Sequence, residues 1–136
     1  MKRTKRTNAV AEAVAAARDE LSQVDPEQPE AALPHLRAAQ EHLTAAVDEA
    51  MAAAIVASGS SIRTAGMLAG LSENAVGPRL ARTCLLAAYG SDTGRVTAAG
   101  VVRARYDLER GEHRTADTGE GDLAKKPMRF RARRTG

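Results

Sequence analysis

An all-α domain, a small bundle of about five helices, is the fold class this sequence predicts. Three observations lead there. Apolar residues recur at three- and four-residue steps along most of the chain, the period of one helix face. Of the 136 residues 29 are alanine and only Tyr89, Tyr106 and Phe130 are aromatic, so elements must pack closely to bury enough area. No pair of alternating apolar–polar runs is visible to build a sheet.

Residues 1–7, MKRTKRT, read as a basic flexible arm. The helical domain is expected over 8–110. Asn8 is placed to cap a first helix, whose apolar stripe is Val10, Val14, Ala17, Leu21 and Val24. Asp25-Pro26-Glu27-Gln28-Pro29 stops it, because two prolines within four residues cannot continue a helix. A longer helix is expected from near Pro34, or as early as Glu30, to about Ala57. Leu36, Leu43, Val47, Met51 and Ile55 form its apolar stripe, and Arg37, Gln40, Glu41, Thr44 and Asp48 its wet side. The stripe keeps no strict heptads, so a bundle helix is expected and not a coiled coil. A buried Leu or Val contributes roughly 1.5–3 kcal/mol and an alanine much less. A lone monomer of this composition is therefore marginal, and a homodimer through Asn8–Val24 and Pro34–Ala57 is the expected remedy.

Next comes SIRTAGMLAGLSENAVGPRLART, Ser61 to Thr83. Ile62, Ala65, Leu68 and Ala69 recur at helical spacing, and Gly66 and Gly70 are small enough for close approach. Leu71 turns inward, Ser72 can cap a new helix, and Val76 and Leu80 share a face four residues apart. Pro78 lies inside that second helix unless Gly77 caps it and Pro78 opens it. Leu85, Leu86 and Tyr89 continue the apolar pattern as helix to Gly90. After the polar turn Ser91–Gly94, Thr97 is placed to cap a last helix, from about 98 to 110. Arg95 and Val96 could instead begin a strand, but no partner strand follows. From Gly111 to Gly136 periodicity is lost, and a disordered tail is expected, acidic over Asp117–Asp122 and then basic.

The Gly70-Leu71-Ser72 corner, with Val76 four residues after Ser72, resembles the bacterial helix-turn-helix of small DNA-binding repressors, over about 61–83. Gly66 departs from the alanine usual there, and Arg79 from the usual apolar residue. The resemblance implies double-stranded DNA as partner and a transcriptional regulator or repressor, such as a plasmid or phage encodes. It implies that Ser72, Glu73 and Asn74 stand at the major-groove edge, with Asn74 reading adenine and Glu73 accepting from cytosine. Arg79 and Arg82 would then reach phosphate or guanine, and Arg63 and Thr64 the backbone.

Charge is unevenly spread. Residues 1–7 and 125–136 carry ten basic residues and no acidic ones, while the stretch between carries −7. Basic arms on an acidic body suit phosphate contact by Lys125, Lys126, Arg129, Arg131, Arg133 and Arg134. Arginine outnumbers lysine sixteen to four, a bias of GC-rich, for instance actinobacterial, genomes. Phe130 amid these charges could stack or wedge.

Other chemistries find little support. The single cysteine, Cys84, excludes an intramolecular disulfide and reads as a small buried hydrophobe. His35 and His42 are about 10.5 Å apart in helical rise, too far for one metal ion, and His113 lies in the tail. No glycine-rich phosphate loop or nucleophile–base pair is evident, so no enzyme, cofactor or small-molecule ligand is expected. No apolar run reaches the roughly 20 residues of a membrane span, and no secretory leader is seen, so a cytoplasmic, nucleoid-associated place is expected. A helical protein–protein adaptor and a non-specific DNA-packaging protein are the alternatives to a regulator.

Overall fold

The computed structural model describes residues 8–114. Five α-helices follow one another: α1 (Ala9–Ser22), α2 (Pro29–Val56), α3 (Ile62–Ala69), α4 (Glu73–Leu80) and α5 (Ala98–Glu109). Among the described residues there is no strand, so this is a small all-α bundle. The arm 1–7 and the tail from 115 lie outside the described residues, and with them the expected contacts of Lys125, Lys126, Arg129, Arg131, Arg133 and Arg134.

Asn8 caps α1 as its sequence position predicts: its Oδ1 accepts the Ala11 N–H at 3.1 Å. Helix α2 begins at Pro29, earlier than Pro34. Proline suits a first helical position, where the N–H it lacks would have no intrahelical partner. Pro34 then sits inside α2 at an exposed position. The Glu30 carbonyl loses its helical donor there, and solvent can replace it.

The seam between α1 and α2 differs from the expected stripes. Its buried residues are alanines, Ala17 on α1 and Ala32, Ala39 and Ala46 on α2. Leu21, Leu36, Leu43 and Val47, expected inside, are 46, 42, 47 and 38% exposed. Small side chains let two backbones approach closely, and the larger ones are then displaced to the flanks. Asp48, expected on the wet side, is buried at 7% exposure.

Further along, α2 turns a different side to the rest of the chain. Met51, Ala52, Ile55 and Val56 enter one core with Ala65, Val76, Leu80, Leu86, Tyr89, Val96, Val101 and Ala104. Arg105 on α5 secures the end of α2. Its Nε donates to the Ile55 carbonyl at 3.0 Å and its Nη2 to the Ser60 carbonyl at 2.9 Å. Both carbonyls stand at or past a helix C-terminus, where acceptors lack intrahelical donors.

The helix expected to run on to Gly90 stops at Leu80, and only a short 3₁₀ turn, Ala87–Tyr89, follows. Side chains explain this, because they take the backbone donors and acceptors that a helix would pair. Thr83 Oγ1 donates to the Leu80 carbonyl at 2.7 Å and accepts the Leu86 N–H at 3.2 Å. The Glu49 carboxylate accepts the Cys84 N–H at 3.0 and 3.1 Å. Cys84 itself is half-buried. Helix α5 matches its expected span, with Thr97 at the N-cap position. The Tyr89 hydroxyl donates to Asp107 Oδ2 at 2.8 Å and accepts the Arg114 N–H at 3.1 Å, tying α5 and the chain beyond it to the core.

Burial raises the Glu49 carboxyl above its ordinary value, and the Cys84 N–H only partly offsets that. A raised folded pKa means the folded state holds its proton more tightly than the unfolded state. Glu49's contribution to stability is thus full below its unfolded value and is lost as pH rises through the raised one. Glu49→Gln keeps an acceptor for the Cys84 N–H and cannot ionise. In denaturant titrations its stability relative to the parent should improve as pH rises through and above the ordinary carboxylate range. A difference that does not change with pH would refute the assignment.

Candidate nucleic-acid interface

Helix α3, a corner and α4 form the unit to which the expected DNA contacts belong. Ser61 opens α3, its Oγ accepting the Thr64 N–H at 2.9 Å. Gly70 closes it with φ +77°, a left-handed conformation that glycine adopts without a Cβ penalty. The Leu71 N–H then bonds back to the Gly66 carbonyl at 2.9 Å, and the Gly70 N–H to the Met67 carbonyl at 3.1 Å. The half-buried Leu71 packs against the core. Ser72 takes the extended N-cap backbone of α4, but its side chain makes no cap hydrogen bond.

The two helices are held close by the absence of a side chain. A Cβ added at Gly66 would lie 2.5 Å from Val76 Cγ2. Helix α4 runs unbroken from Glu73 through Pro78 to Leu80. Proline disfavours helical backbone at the residue before it by colliding with that residue's Cβ, and Gly77 has none. The same bareness lets the Arg95 guanidinium lie across Gly77, 3.0 Å from where a Cβ would stand.

On the outside of this unit Arg63, Thr64, Ser72, Glu73, Asn74 and Arg82 are all exposed. Arg63 Nε lies 3.9 Å from Glu73 Oε2, with both side chains mostly in solvent. Such a pair contributes little and exchanges partners readily. Met67 and Leu68, also on the outer side of α3, are 69 and 80% exposed.

Arg79 departs from its expected role. Its Nε donates to Asp48 Oδ1 on α2 at 2.6 Å, and the two side chains are 22 and 10% exposed. The guanidinium is engaged within the body as the partner of a buried carboxylate, so a phosphate or guanine contact is corrected to a structural one. The pairing is not legible in the sequence, because 31 positions separate the two residues.

Charge divides along the chain. Residues 8–57, which span α1 and α2, hold nine acidic and two basic residues. Residues 58–114, with the corner and α5, hold five acidic and eight basic. The two parts therefore carry −7 and +3. Among the described residues no three His, Cys, Asp or Glu side chains gather as a metal site would need. His35 Nδ1 lies 2.8 Å from Glu20 Oε1 across the α1–α2 seam. No helix among them is long and apolar enough to cross a membrane.

The fold defines a small all-α bundle as the class of protein. No family model, curated protein or solved structure matches the chain.

Proposed function

We propose that this chain binds duplex DNA with sequence preference and acts as a transcriptional regulator, with α3, the corner and α4 as its reading unit. The observation that carries the proposal is the exposure of Ser72, Glu73 and Asn74 together at the start of α4. A helix N-terminus is the part that such a unit directs to base edges in the major groove. Asn74 has the donor and acceptor needed to hold adenine by two bonds, and Glu73 accepts from cytosine N4 once Arg63 releases it. Arg63, Thr64 and Arg82 supply backbone contacts. The positive balance of residues 58–114, against the acidic α1–α2 hairpin, supports this part and not the hairpin as the side that meets the duplex. Lys125, Lys126, Arg129, Arg131, Arg133 and Arg134 would add phosphate contacts without sequence preference.

A protein-docking reading of the same unit is favoured by the exposure of Met67 and Leu68. Selection of bound duplexes from a random pool separates the two. The DNA reading expects one enriched sequence, bound at least about tenfold more weakly by Asn74→Ala, with binding to unselected DNA little changed. Failure to enrich any sequence refutes it. Equal binding of every duplex points to packaging.

A further inference from the structure

The α1–α2 hairpin leaves its larger apolar side chains outside its own seam. Helical phase places them. At about 100° per residue, with the two helices antiparallel, Val14 and Leu21 fall on the same side of the seam as Leu36, Leu43 and Val47. The Glu20–His35 contact falls toward the opposite side. By phase the core-facing Ala52, Ile55 and Val56 lie about 100–160° round α2 from Leu36 and Met51 about 60°, so the core borders this face near Met51 and leaves Leu36, Leu43 and Val47 exposed. The result is one broad face of leucine and valine, with the exposed Gln40 among them, over a floor of alanine.

We infer that this face pairs with the same face of a second copy, closing a four-helix bundle of two hairpins. Area and charge both favour a second copy as the occupant. Helix α1 has 14 residues and α2 has 28. With helices about 10 Å wide, the shared face and the overhang of α2 cover roughly 600 Å². Two such faces bury about 1,200 Å², the lower bound for a specific, stable interface. The hairpin carries −7, yet phase keeps its acidic residues off this face. Glu12, Asp19 and Glu20 on α1, and Glu30, Glu41 and Glu49 on α2, all fall on other sides. Two copies can therefore meet face to face without opposing their acidic surfaces, as an isologous twofold contact requires. An anionic membrane surface would instead be repelled by the acidic hairpin around this face.

The inference rests on the hairpin alone and holds whether or not the corner reads DNA. Its test is the mass of the full chain in solution, by light scattering and sedimentation from low to high micromolar concentration. The expected species is two chains of 14.3 kDa. Leu36→Ala/Leu43→Ala should raise the dimer dissociation constant at least tenfold. Alanine keeps the helix, and both leucines are already exposed in one chain, so folding should survive, as circular dichroism will report. Glu41→Gln, about 140° round α2 from Leu36 by phase, should leave the constant unchanged. A parent that stays monomeric overturns the inference and leaves the face to a different protein. A dimer indifferent to the leucine pair, or weakened equally by Glu41→Gln, overturns the assignment of this face.

Discussion

Arg79→Ala is expected to lower folding stability by about 3 kcal/mol, more than a change at any exposed residue of the corner. The cause is what remains behind. Asp48 is 7% exposed on α2, and Arg79 is its close partner at 2.6 Å. Without the guanidinium, a buried carboxylate must either ionise unpaired, draw in water or take up a proton. Breaking a buried pair in this way costs roughly 3–5 kcal/mol, and the partial exposure of Arg79 sets the expectation at the lower end. Asp48→Ala leaves behind a guanidinium that can turn to solvent, so its cost should be smaller. The double variant Asp48→Ala/Arg79→Ala removes the orphan and should be no less stable than Arg79→Ala. Urea titrations of all four proteins complete the cycle. An unchanged midpoint for Arg79→Ala would show that the pair contributes nothing. The result also matters for function, because a DNA-binding defect in an Arg79 variant would report on the fold. Asn74 and Arg82 are the cleaner probes.

The helices themselves are legible where local chemistry decides them. Asn8, Ser61 and Thr97 sit at N-cap positions, whereas Gly70, expected to allow close approach, has open space beside it and instead stops α3 in the left-handed conformation. What cannot be read locally is settled by partners far along the chain. The segment after Leu80 keeps an apolar pattern that suits a helix, but Glu49 holds the Cys84 N–H from 35 positions away. Asp48 reads as wet because its periodicity is polar, and Arg79 reads as available because it is an arginine on a short helix. Each accounts for the other only once α2 and α4 are adjacent. The hairpin shows a different limit. Pattern reading assigns the largest apolar residues to the inside, whereas close helix approach selects the smallest. Ala17, Ala32, Ala39 and Ala46 take the seam, and the leucines are left as an open face. At the candidate interface, the exposure of Ser72, Glu73 and Asn74 follows from the corner itself.

Gly100→Ala is the second substitution expected to be severe. Glycine in a helix is ordinarily about 1 kcal/mol worse than alanine, so the change should stabilise α5 if space allowed. Space does not allow it. A Cβ at Gly100 would lie 2.5 Å from the Tyr89 carbonyl oxygen. Tyr89 cannot withdraw easily, because its side chain is buried and its hydroxyl is bonded to Asp107 and to the Arg114 N–H. Moving α5 outward would pull Val101 and Ala104 from the core and stretch the Arg105 bonds to Ile55 and Ser60. A net loss of about 2–3 kcal/mol follows, at the upper end of what overpacking costs. Gly66→Ala provides the comparison, since the atom it would meet belongs to the Val76 side chain and not to backbone. Trimming that side chain can make room, so Val76→Ala should partly rescue Gly66→Ala, within the cost of the cavity it opens. No trimmed side chain can make equivalent room beside a main-chain oxygen. Thermal melts of Gly100→Ala, Gly66→Ala and Gly66→Ala/Val76→Ala test both statements. A Gly100→Ala protein as stable as its parent would mean that α5 does not press on Tyr89 as described.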